Sequence, residues 1–319
     1  SLMLAMLDEG TETRDSTRIA EEQERLGATI STGASLDASS IVLDALTANL
    51  APSLALMADI ARNPAFAEGE VARVRAQQLA RLSQVEATPS ALASRSLAPL
   101  LFGDSHPYGL PSDGLGNAAS LSALTSGALR AAHKRWLRPD LARITVVGDV
   151  TMDALKPLLE EAFGSWKAPG SDLPRKAIDA PVPAPRSRIV VIDRPNSPQS
   201  VIMGGRVLAL TGRDRNLEAL DLANEVLGNG FLSRLNMDLR EDKGWSYGVR
   251  ATVSSPVGPR ALTISAPVQA DRTGDSIQLI MADMAAFPGM KPVDPVELGR
   301  VTDGNIRGLP NRFQTNAQV

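Results

Sequence analysis

GNGFLSRLNMDLREDKGWSYGVR, residues 228–250, joins a helical pattern to a strand pattern through one glycine. Gly228 and Gly230 bracket the entry, and Leu232, Leu235 and Leu239, spaced three and four apart, make one apolar helix face. Lys243-Gly244 supplies the basic last turn and the glycine that end helices. Residues 245–249 then read as a strand. The pattern predicts Arg240 in the last helical turn and Tyr247 on the strand, seven positions later. Because the chain turns at Gly244, a guanidinium and a phenol could meet there and donate to a peptide carbonyl, or to the oxyanion formed when it is attacked. From the pattern alone a plainer reading takes precedence. Arg240 is then a solvated cation near a helix C-terminus, and Tyr247 a half-buried strand aromatic.

The chain has 319 residues, 43% of them hydrophobic, enough for one large core or two ordinary ones, and two is the better expectation. A net charge of -3 offers no basic footprint for nucleic acid, and no apolar run reaches membrane-spanning length. Cysteine is absent, which excludes disulfides, thiolate catalysis and thiolate metal sites on these residues. The apolar opening, 1–7, lacks the basic region and small-residue cleavage site of a signal peptide, and reads as the inside of a helix that begins upstream.

A helix is predicted over 17–26, stopped by Gly27, followed by a hairpin over 28–35 and 39–49 and a helix from Pro52 through Ala61. Helices follow over 68–85, 89–101 and 125–136, then a strand over 142–147 and a helix over 152–163, where Pro157 calls for a kink or a later start. Five prolines between Pro169 and Ser187 mark a linker. Strands are then predicted over 188–193, 200–210, 245–254 and 259–266, and helices over 216–227, 232–243, 271–287 and 295–306. The order helix, hairpin, helix occurs in both halves. The fold expected is α+β: two similar domains, 1–168 and 188–319, joined by a linker 169–187, each an antiparallel-rich sheet with helices packed on one face. Each domain is expected to lack its outer end.

The run FLSRLNMDLREDKGWSYGV (231–249) resembles the segment S-R-L-x-x-x-L-R-x-x-x-G-x-x-Y of the pitrilysin/insulinase-type zinc peptidases, which include mitochondrial processing peptidase. DEGT (8–11), ERLGA (24–28), HPYG (106–109), Trp136 with Arg138-Pro139-Asp140, and VGDV (147–150) are similar to that family's successive blocks, in one order across most of the chain. In that family the later Arg and the Tyr bind substrate beside a zinc site on a different domain. Carried over by residue, the resemblance implies Arg240 and Tyr247 as substrate-binding groups.

The family's zinc motif, H-x-x-E-H, puts two imidazoles on one helix face with a Glu that can take a proton from bound water, and a further Glu comes from a later helix. The matching positions are Ser1, Leu4 and Ala5, and the later Glu falls near Ala80-Arg81, where a guanidinium would repel the cation. Only His106 and His133 are present, 27 residues apart. His106, before Pro107, is expected to order its loop, and His133 to be structural or solvated. Neither a G-x-S-x-G elbow nor a phosphate loop occurs.

The resemblance therefore implies a metal-free half of a zinc metalloendopeptidase, either a separate subunit or the later half of a longer chain. It would bind a peptide substrate and supply Arg240 and Tyr247 to zinc chemistry on a partner half of the same family, within a clamshell-shaped chamber. Catalysis would need both halves. The alternative is a scaffold of the same fold with no role in cleavage, as in core subunits of respiratory complexes. A third reading is a piece of a chain whose own zinc motif lies outside these residues. An extracytoplasmic location is favoured, because bacterial relatives of this type are often exported, with the cytoplasm as the alternative.

Overall fold

The computed structural model describes residues 1–319 and divides into two compact units. One comprises Ser1–Gln84, Asp113–Lys176 and Thr315–Val319, the other Val85–Ser112 and Ala177–Gln314.

The chain opens with α1 (Leu2–Ala5), which buries Leu2 and Leu4. Asp15 caps α2 (Ser16–Leu26) by accepting the Arg18 amide at 2.8 Å, and Gly27, at φ 59°, ends it. An antiparallel hairpin of β1 (Thr29–Ala34) and β2 (Ser39–Asp44) leads into α3 (Leu50–Arg62), which buries Leu54, Leu56, Ile60 and Ala61. After α4 (Glu68–Ala87) and α5 (Pro89–Phe102) come α6 (Ala118–Ser122), α7 (Ser126–Trp136) and α8 (Met152–Phe163). Leu54 and Ala58 of α3 pack against Ala162 of α8. Helix α8 runs through Pro157 without a late start.

The second unit is built on β3 (Gln199–Thr211). Next come α9 (Leu217–Asn224), α10 (Arg234–Asn236), β4 (Arg250–Val253), β5 (Pro259–Gln269), α11 (Thr273–Ala286) and α12 (Pro295–Gly308). The sheet is antiparallel in the order β3-β5-β4, and one face packs Ile264, Ala266 and Val268 against Leu227, Leu235, Leu239 and Ile280. The predicted order recurs as α2-β1-β2-α3 in one unit and α10-β4-β5-α11 in the other. Sequence order assigns 85–112 to the first domain, but the structure groups it with the second. Helix α5 lies so close to β3 that a Cβ on Gly205 would stand 2.9 Å from Leu101, and the Tyr108 hydroxyl accepts the Gly258 amide at 3.0 Å.

Two predicted strands, 142–147 and 188–193, do not form. Their β-branched residues suit a pleated surface, but a strand exists only through a ladder with a neighbour, and here none pairs with them. Val191 is left 82% exposed. The predicted linker carries no helix or strand. Its first residues are held by buried Arg138, which pairs with Asp140 at 2.6 Å and donates to the Ser171 and Asp172 carbonyls at 2.9 and 3.1 Å. No helix is long and apolar enough to cross a membrane.

Candidate functional site

The Ser233 amide bonds to the Gly230 carbonyl at 3.1 Å, closing a turn before α10 begins. The helix thus starts at Arg234, two residues later than the leucine spacing predicts. Leu235 and Leu239 are buried as that spacing requires, whereas Phe231 and Leu232 stand outside, 62% and 50% exposed. From Met237 to Asp242 the turns widen to π-helical ones, with the Lys243 amide reaching back to the Asp238 carbonyl at 3.1 Å. Gly244, at φ 65°, ends the run as expected. The Leu239 carbonyl accepts both the Trp245 and Ser246 amides, at 2.9 and 3.2 Å.

Tyr247 is not on a strand, because β4 begins only at Arg250. Before it the backbone pairs with β5 only at an isolated bridge, Ser246 opposite Val268, with the Gln269 amide donating to the Trp245 carbonyl at 2.9 Å, and side chains supply further bonds. The Ser246 hydroxyl accepts the Gly248 amide at 3.1 Å and donates to the Pro267 carbonyl at 2.6 Å, and Asn236 Oδ1 accepts the Val249 amide at 3.0 Å. Tyr247 therefore projects from a bend, 85% exposed rather than half-buried.

The structure brings Arg240 and Tyr247 together. The guanidinium carbon lies 5.3 Å from the Tyr247 ring centroid and 4.7 Å from that of Phe231. Two aromatic faces orient the cation. Its Nε pairs with Glu241 at 3.1 Å, while neither Nη atom nor the Tyr247 hydroxyl is hydrogen-bonded to the protein. The earlier arginine of the run has a different part. Arg234 makes a two-pronged pair with Glu297, at 2.7 and 2.5 Å, and donates to the Pro292 carbonyl at 2.8 Å, tying α10 to α12. Hydrogen bonding from Arg234 holds the Glu297 carboxyl below its ordinary pKa.

Phe231 and Asn236 escape a reading based on the Arg/Tyr spacing. Asn236 is buried, and its Nδ2 donates to the Phe231 carbonyl at 2.7 Å while Oδ1 holds Val249. One amide thereby pins the segments on both sides of Arg240. Its signal was available: Asn236 lies four after Leu232 and three before Leu239, a polar residue on an apolar face.

The remaining candidates are structural. His106 is buried, and its Nδ1 accepts the Tyr108 amide at 3.0 Å, ordering its loop. His133 Nε2 lies 2.8 Å from the Ala61 carbonyl, and burial lowers the pKa of its imidazole in opposition to that hydrogen bond. Ser1, Leu4 and Ala5 offer a metal one hydroxyl and two alkyl groups, with Leu4 buried, and no three His, Cys, Asp or Glu side chains converge to hold an ion. These residues do not fit zinc. A cavity of about 1890 Å³ lies between α5, β3, α11 and the segment 182–197 and is lined by neither Arg240 nor Tyr247. The Arg/Tyr pair is an open ledge.

Residues 123–299 match the peptidase M16 inactive domain, and residues 2–104 match the insulinase (peptidase family M16) domain. An uncharacterized zinc protease of Mycobacterium tuberculosis is 28% identical over 306 residues, which cover 95% of this chain and 68% of that protein. A solved peptidase M16 inactive domain from Pseudomonas fluorescens is 27% identical, with a TM-score of 0.89, over 99% of this chain and 74% of that one. The first half of the periplasmic protease PqqL from Escherichia coli shares the fold, with a TM-score of 0.70 at 17% identity, over 100% of this chain and 69% of that one.

Proposed function

We propose that this chain, which belongs to the insulinase (M16) peptidase family, is the substrate-gripping, non-catalytic half of a zinc-dependent peptidase. The observation that carries the reading is the pair of unengaged donors on one ledge: the Arg240 Nη atoms and the Tyr247 hydroxyl, 85% of whose residue is exposed. A planar guanidinium in contact with two aromatic rings loses little freedom when it binds. Together with a phenol it can address both lone pairs of one peptide carbonyl, fixing the backbone without reading the side chain.

Cutting is assigned to a partner half that carries the zinc, since the residues of this chain at the motif positions cannot. The match to the peptidase M16 inactive domain supports this division of labour, and an extracytoplasmic location is part of the proposal. The test is to combine the chain with its zinc-bearing half and follow peptide cleavage. Arg240→Ala and Tyr247→Phe are each expected to lower kcat/KM by at least about tenfold, the scale of losing a donor to a carbonyl oxygen. Unchanged turnover in both variants would leave the scaffold role.

A further inference from the structure

We infer that Phe231, with Leu232 beside it, is a specificity contact that receives an apolar, preferably aromatic, side chain of the peptide held at this ledge. The inference rests on the grip assigned to Arg240 and Tyr247 and adds what that grip lacks, a preference among side chains.

Three observations converge on it. Phe66, Phe102 and Tyr108 are buried, whereas Phe231, like Phe313 at 57%, is largely exposed, at 62%, with Leu232 beside it at 50%. Leaving a phenylalanine largely in water forgoes free energy that burial would supply. Phe231 is nevertheless placed with care. Its carbonyl is held by Asn236 at 2.7 Å, and its ring lies 4.7 Å from the carbon of the same Arg240 guanidinium that contacts the Tyr247 ring at 5.3 Å. Any group accepting from the Arg240 Nη atoms sits beside this ring. In a peptide, a side chain and the carbonyl of its own residue branch from adjacent backbone atoms, so a carbonyl held here brings a side chain to Phe231.

Charge narrows the class further. Glu241 lies on the Nε edge of Arg240 at 3.1 Å, and Asp242 follows it in the chain. The Glu241 carboxylate beside Arg240 disfavours an acidic side chain there and leaves an apolar one unaffected. The ligand is thus a peptide with a large apolar residue at the gripped position, rather than an acidic one.

The test uses the intact chain and three acetylated, amidated pentapeptides of alanine whose central residue is phenylalanine, alanine or aspartate, with dissociation constants measured by calorimetry. The wild type is expected to bind the phenylalanine peptide about tenfold more tightly than the alanine peptide, the increment of one buried aromatic contact, and the aspartate peptide most weakly. Phe231→Ala should reduce the phenylalanine preference to within about twofold while binding the alanine peptide as before, and Phe231→Trp should retain the preference. The exposure of Phe231 makes both variants compatible with folding, which thermal melting checks. A preference that survives Phe231→Ala overturns this inference and leaves the grip intact. Wild type and Arg240→Ala binding each peptide with the same affinity overturns the grip. No binding of any peptide by the wild type overturns both.

Discussion

Asn236 Oδ1 accepts the Val249 amide at 3.0 Å, while the Nδ2 of the same side chain donates to the Phe231 carbonyl at 2.7 Å. The flanks of Arg240 are thereby tied to one buried amide, and the ledge depends on a residue that touches no ligand. Asn236→Ala leaves a buried donor and a backbone acceptor unmatched, for an expected loss of about 1–3 kcal/mol in urea unfolding. Peptide affinity should fall with it. An unchanged midpoint would show that water replaces the amide at no cost.

The two arginines of the motif should separate cleanly by phenotype. Arg234 is tied to Glu297 and Pro292, so Arg234→Ala is expected to lower stability by about 1–2 kcal/mol. Arg240 and Tyr247 engage little of the protein, so Arg240→Ala and Tyr247→Phe should stay within about 0.5 kcal/mol of wild type while losing peptide binding. Thermal melts of the three variants, set beside their titrations, check the assignment. Destabilisation by Arg240→Ala equal to that by Arg234→Ala would make both arginines structural.

Gly228 sits where the turns after α9 cross β4. A Cβ there would stand 2.5 Å from the Ala251 Cβ and 3.1 Å from Leu235 Cδ1. Alanine ordinarily stabilises a helical position by about 0.5–1 kcal/mol relative to glycine. Overpacking of this core costs about 1–3 kcal/mol, so the net sign for Gly228→Ala is destabilising. A raised melting temperature would count against the close approach.

Burial, reinforced by the Asp238 carboxyl, raises Asp283 to about 6, with Lys291 and Arg234 acting in the opposite direction. The folded protein therefore holds this proton more tightly than the unfolded chain. The stability it contributes is fully present below about pH 4, the ordinary carboxylate range, and is lost as pH rises through about 6. Between pH 5 and pH 7.5 the urea midpoint of wild type should fall further than that of Asp283→Asn, which cannot titrate. Parallel curves for the two proteins would remove Asp283 from the pH response.

Much of the architecture was legible because it is written in local pattern. Helices with a capping residue and periodic apolar face, such as α2 behind Asp15 and α12 behind Pro295, form close to where periodicity and caps predict. The hairpin of β1 and β2 likewise lies within its predicted spans. The strands predicted over 142–147 and 188–193 did not form, since β-branched composition says nothing about whether a partner edge is available. The allocation of 85–112 was equally hidden, because it depends on α5 meeting β3 across more than a hundred residues of chain.

By itself, the sequence determined the α+β class, the glycine stop at Gly244, the order of blocks shared with insulinase-type peptidases and the lack of imidazole or carboxylate at Ser1, Leu4 and Ala5. These depend on residue type and short spacing, which folding cannot alter. The tertiary structure alone decided that Tyr247 leaves the sheet and reaches Arg240, that Phe231 meets the same guanidinium, and that Arg234 is engaged elsewhere. Such relations arise from long-range closure by Asn236, Ser246 and Glu297, side chains whose hydrogen-bond partners exist only once distant segments have been brought together.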